Sequence, residues 1–120
     1  MMLTIKNNGY YRSKLEFEDG NASLGMYTVT YYYFLRLNPD NSFFMRSSED
    51  ADYNILEAWN NLTAEEKEWW EHGNWGVEGE KLRLGFNVKW NNTTVTVHYM
   101  IVSPVKLIDN NGNEMIFIEA

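Results

Sequence analysis

The chain contains no cysteine. That single absence excludes disulfide frameworks, thiolate zinc sites and cysteine nucleophiles. Histidine is nearly as scarce. His72 and His98 are too few and too far apart in sequence for a histidine metal site, and neither a metal nor a cofactor is expected. Bases are in deficit: ten Lys and Arg stand against seventeen Asp and Glu, a net charge of −7. A nucleic-acid backbone needs a basic face, so nucleic acid is not the expected partner. No apolar run approaches the ~20 residues that cross a bilayer. The opening MMLTIKNNGYYRSK has neither the apolar core of roughly 7–15 residues nor the small-residue cleavage site of a secretory leader. A cytoplasmic protein with no membrane partner is the expectation. The phosphate-binding loop, the G-x-S-x-G elbow and the dinucleotide fingerprint are missing too.

What the chain has in excess is aromatic side chains. Five Trp, eight Tyr and six Phe make up 16% of 120 residues. Hydrophobic residues at 44% and charged residues at 22% fit one ordinary globular domain spanning residues 1–120. No linker, low-complexity tract or internal repeat divides it.

The hydropathy pattern has period two over most of the length, which marks half-buried antiparallel strands. Between Tyr11 and Phe17, apolar Tyr11, Leu15 and Phe17 alternate with charged Arg12, Lys14 and Glu16. A long β-forming run follows from Tyr27 to Leu37, with Val29, Tyr31, Tyr33, Leu35 and Leu37 on one face. Asn38-Pro39-Asp40-Asn41 reads as a tight turn into a return strand at Phe43 to Met45. At Glu49 the period changes: Ile55, Leu56, Trp59 and Leu62 recur at helical spacing. Thr63-Ala64-Glu65-Glu66 matches a capping box, which predicts a second helix from Ala64 to His72, stopped by Gly73. A helical insert over residues 50–72 is the result. Strand patterning resumes at Trp75, with Val77-Glu78-Gly79-Glu80 reading as a two-residue hairpin. Leu82, Leu84, Phe86 and Val88 then alternate with polar residues, and Val95, Val97, Tyr99 and Ile101 do the same after a turn at Asn91-Asn92. Pro104 interrupts the ladder. Val105–Ile108 and Met115–Ile118 flank a last hairpin. The count is about eight strands, and an antiparallel up-and-down barrel closes them without exposed edges. A sandwich is the alternative architecture.

The charge is concentrated. Residues 49–80 hold ten acids and one base, and the remainder holds seven acids and nine bases. The acidity thus belongs to the insert and the hairpin after it, where it reads as a solvated helix face or a patch for a basic partner.

Gly9-Tyr10-Tyr11 at the start of a strand, the run Tyr31-Tyr32-Tyr33-Phe34-Leu35-Arg36-Leu37-Asn38-Pro39-Asp40, and Gly73-Asn74-Trp75-Gly76-Val77-Glu78-Gly79 resemble segments of lipocalin-like (calycin-type) barrels. They are loosely similar to the β-rich domain that follows the F-box in one class of F-box-only proteins. The likeness covers roughly residues 9–90, and no F-box segment accompanies it. It implies a small up-and-down barrel with a helical insert across one end, and no catalytic residues.

Three functional readings follow. In the first, Tyr11, Tyr31, Tyr33 and Phe43, with Phe86, Trp90 and Tyr99, face inward and bind a small apolar or aromatic ligand, while Trp59 and Trp69 supply a lid; the same rings can equally fill the barrel as packed core. In the second, the chain is an interaction module. Tyr32 and Phe34 lie on the strand face opposite Tyr31 and Tyr33, and a strand apolar on both faces must be covered on both, by the insert or by a second copy in a homodimer. Trp70 is the third expected interface residue. In the third, a cofactor-free barrel enzyme of the phenolic acid decarboxylase kind would use Tyr11, Tyr33, Arg36 or Arg83, and Glu16. Strand parity places those arginines and Glu16 on the outer face, so a non-enzymatic binding protein is the leading expectation.

Overall fold

The computed structural model describes residues 5–13, 17–19, 29–88 and 91–119, with backbone alone for 17–19 and 29–30. Among the described residues, nine strands and two short helices follow one another in chain order: β1 (Gly9–Ser13), β2 (Phe17–Asp19), β3 (Val29–Leu37), β4 (Ser42–Ser48), α1 (Ile55–Asn60), α2 (Ala64–Lys67), β5 (Glu71–Glu78), β6 (Lys81–Val88), β7 (Thr93–Ser103), β8 (Lys106–Ile108) and β9 (Glu114–Glu119). From β3 onward every strand pairs antiparallel with the next. The ring closes where β1 pairs with β9, from Gly9↔Glu119 to Ser13↔Met115. β1 and β2 share one position in the ring: β1 pairs with β3 at Tyr11↔Leu35, and β2 pairs with the start of β3 at Phe17↔Tyr31. The fold is therefore mainly β, an up-and-down antiparallel barrel of eight strand positions, as the alternation predicts. Barrel rather than sandwich is decided by the β1–β9 seam.

The turns fall where the sequence places them, for backbone reasons. Asn41 (φ 71°) and Gly79 (φ 63°) take the left-handed region at the β3–β4 and β5–β6 turns, and Asn92 and Gly112 do so at the β6–β7 and β8–β9 turns. Asn and Gly are the residues that tolerate it. Pro104 sits in the β7–β8 turn beside a ladder irregularity between Ile101 and Ser103, where its missing N–H costs no pairing.

The helical insert departs from expectation in extent and in place. Asn54 caps α1, its side-chain oxygen accepting from the Glu57 N–H at 3.1 Å, and Thr63 with Glu66 forms the predicted capping box on α2. The second helix nevertheless ends at Lys67 rather than His72, because Glu71 to Asn74 are already in β5, paired with Met45 to Ser42 of β4. Gly73 permits this, since a Cβ there would overlap the Gly85 carbonyl on β6. A ladder on both sides outbids one more helical turn.

The insert does not cross an end of the barrel; it packs along the wall. Phe34, Phe44, Ile55 and Trp70 form an outer core with Tyr32, Tyr53, Leu56, Trp59 and Leu62 around it. Trp59 stacks on Phe44 with ring centroids 4.3 Å apart and planes 5° from parallel. Arg12 of β1 fastens the segment from the side, donating to the Ala51 carbonyl at 3.2 Å and lying over the Tyr32 ring. Among the described residues, no helix is long and apolar enough to cross a membrane.

Candidate functional site

The barrel interior has two halves that differ in packing. At the closed end stand the β3–β4, β5–β6 and β7–β8 turns. There Ile5, Tyr11, Leu37, Leu82 and Leu107 are fully or nearly fully buried, with Leu35, Phe43, Leu84 and Ile101 around them. Tyr11 pins this base. Its hydroxyl donates to the Pro104 carbonyl at 2.6 Å and accepts from the Lys6 N–H at 3.2 Å, and its ring meets Phe117 edge-on at 5.2 Å. Burial pushes the Tyr11 hydroxyl above its usual pKa, opposed by the Lys6 hydrogen bond. Trp75 donates its indole N–H to the Asn38 carbonyl at 2.9 Å and seals the β3–β4 turn. This half is packed core.

The other half is open. A cavity of about 320 Å³ lies inside the barrel, walled by Tyr33, Met45, Phe86, Val97, Tyr99 and Met115, with Ser13, Glu71, Asp109, Asn111 and Asn113 adding polar groups. The contents follow from strand parity: Tyr33, Met45, Phe86, Val97, Tyr99 and Met115 project to the same side as the buried core of their strands. Ser13 closes the seam at this level, its hydroxyl accepting from the Tyr33 N–H at 3.0 Å. Tyr99 is the chemical centre of the cavity. Burial, then the charges of Asp109 and Glu71 and the nearby Tyr33, push its hydroxyl up to about 12; its nearest acceptor is the Met45 sulfur at 4.0 Å, a weak partner. Partial burial raises the Glu71 carboxyl above its usual pKa, with Arg46 opposing the shift, although the residue as a whole stays exposed.

Of the expected ligand-binding residues, Tyr33, Phe86 and Tyr99 line the cavity. Tyr31 stands edge-on to Tyr33 at 5.5 Å. Tyr11 and Phe43 belong to the packed half. Trp59 lies in the outer core and forms no lid. Trp69, 61% exposed, borders a smaller hollow of about 190 Å³ with Tyr33, Met45, Arg46, Ser47 and Glu71. Trp90 lies outside the described residues. The expected interface residues are covered by the chain itself: Phe34 and Trp70 are buried and Tyr32 packs against them. The insert is thus the cover for the outer face of β3. An Arg36 or Arg83 cluster with tyrosines does not form either. Arg36 is held outside by Asn38 and the Gly9 carbonyl, Arg83 pairs with Glu78 at 2.7 Å, and Glu16 is outside the described residues.

Sequence reasoning missed Glu71, Asp109, Asn111 and Asn113. Glu71 was hidden inside the expected helix, and the other three read only as turn formers. Met45 and Met115 were legible by parity with Phe43 and Phe117.

Comparison with protein-family models, curated proteins and solved structures finds no match to this chain. The architecture is that of a closed eight-position barrel, consistent with a lipocalin-like one. Among the described residues, no group of three or more His, Asp or Glu side chains is placed to hold a metal ion.

Proposed function

We propose that this protein binds a small, largely apolar or aromatic molecule in the open half of its barrel, without catalysing a reaction, and that the barrel is of calycin type. One observation carries the reading: a packed base beneath a cavity of about 320 Å³ walled by aromatic and thioether side chains. That volume lies at the small end of the range for ligand sites, roughly 300–1,000 Å³, which favours a single-ring or short-chain molecule. The two tyrosines add hydroxyls that orient such a ligand.

Native mass spectrometry of protein purified gently from its own host tests this. A reproducible small-molecule mass, lost on denaturation, is the expected result. Val97→Phe projects a ring into the cavity at little packing cost, because it fills space rather than displacing neighbours; it should reduce occupancy at least about tenfold, a loss of about 1.4 kcal/mol of affinity. Bare protein from the host, together with no difference between wild type and Val97→Phe toward apolar probes, overturns the reading. A bare dimer would favour the interaction module instead. Its surface would then be the outer face of β7 and the turn after it, where Met100, Val102 and Val105 are 44–47% exposed, rather than Tyr32, Phe34 and Trp70.

A further inference from the structure

The polar groups of the cavity are not charge-balanced. Among the described residues that line it, the ionisable acids are Glu71 and Asp109, with no Lys, Arg or His in the lining; Arg46 meets Glu71 at the neighbouring hollow. Both carboxylates act on the same point, since each raises the Tyr99 hydroxyl. Both also line the cavity. Asp109 is also fixed in place. One of its carboxylate oxygens accepts from the Asn111 and Asn113 backbone N–H groups at 2.9 and 2.8 Å, and the other accepts from the Asn113 side chain at 3.0 Å. The β8–β9 hairpin thereby holds a carboxylate at the rim with no freedom to swing away.

The nearby cations have other partners as well. Arg46 is on the outward side of β4 and lies over the Trp70 ring at 5.1 Å, from where it opposes the Glu71 charge only in part. Lys106 is paired with Glu114 at 2.9 Å. Two carboxylates in a cavity lined by aromatic rings favour a cation over an anion by elementary electrostatics. Tyr33, Phe86 and Tyr99 line the same cavity, and aromatic rings attract a cation placed over their faces. An anionic ligand would meet repulsion from both carboxylates.

Resting on the ligand-binding reading above, we propose that the molecule held in the barrel is an amphipathic organic cation: an amine or amidinium whose apolar body enters between Tyr33, Phe86 and Tyr99 and whose charge is seated at the rim against Glu71 and Asp109.

The test uses matched series in which one apolar body (hexyl, octyl, phenethyl and naphthylmethyl in turn) carries an amine, an alcohol or a carboxylate. Binding to the full chain is read by thermal shift and calorimetry at neutral pH and low salt. Amines should bind more tightly than the alcohols of the same body, and carboxylates most weakly, with the amine preference shrinking as salt is raised. Glu71→Gln keeps the side chain's size and should reduce the amine-to-alcohol preference about tenfold, whereas Glu65→Gln on the exposed face of α2 should not change it. Alcohols or carboxylates binding as well as amines overturn the charge assignment and leave the ligand-binding reading standing. An amine preference that survives Glu71→Gln also overturns the assignment. If no member of any series binds, both readings fall.

Discussion

Tyr99 and Tyr11 show how one residue type serves two ends of one barrel. Tyr11 has both a good acceptor and a good donor and therefore belongs to the scaffold. Tyr99 has a sulfur at 4.0 Å and two carboxylates in its surroundings, and its hydroxyl lies in the cavity lining rather than in the packed base. Their ionisation has a common consequence for stability. A phenol whose folded pKa lies above the ordinary value of about 10 favours the fold while it is neutral, and the unfolded chain ionises first as pH rises. The contribution of Tyr99 is therefore fully present below about pH 10 and is lost as pH climbs toward about 12. Thermal denaturation across that window should show a falling midpoint, and Tyr99→Phe should make the fall shallower. A slope unchanged in the variant would mean that the hydroxyl is not held neutral by its surroundings.

At the scale of elements, the strands were legible because period-two alternation is a direct print of burial. Tyr33, Leu35 and Leu37 inward against Phe34 outward is the case in point. Two kinds of information were not in the pattern. The end of α2 was set by pairing of Glu71 to Asn74 with β4, a long-range competition that local helix signals cannot register. The role of Glu71 was lost with it, since a carboxylate in an expected helix reads as solvated surface. The docking site of the insert was also hidden, although the surplus apolar residues Tyr32, Phe34 and Phe44 announced that something had to cover the outer wall. That covering rests largely on Trp59, stacked on Phe44 and 5.6 Å from Trp70. Trp59 is half-buried, so Trp59→Ala should cost about 2–3 kcal/mol, below the full-burial range. Hydrogen exchange should quicken first in α1 and α2 while the amides of β6 and β7 stay protected. Equal loss of protection throughout would show that insert and barrel unfold as one unit.

For the whole molecule, the β1–β9 seam carries the closure. It joins residues more than a hundred positions apart in sequence, so it forms against the largest loop-closure entropy in the fold. Gly9 makes the close approach possible: a Cβ there would overlap the Ile118 carbonyl and press on the Phe117 ring. Gly9→Ala should therefore destabilise the protein by about 1–3 kcal/mol, despite the usual entropic advantage of alanine in a strand. A urea titration that finds the variant as stable as the parent would show the seam to be pliable. The alternation in the sequence foretold a barrel, but it held no record of this contact, because a glycine carries no hydropathy to read.

The seam also fixes where the chain can be held. Ile5 and Glu119, the first and last residues described, both leave at the packed end, opposite the cavity. Anchored by either terminus to a bead, an electrode or a fused protein, the barrel would stand with its cup facing the solution. If the proposed ligand binding holds, such a layer would present its cavities to solution, with Trp69 beside the rim as the built-in optical reporter of occupancy.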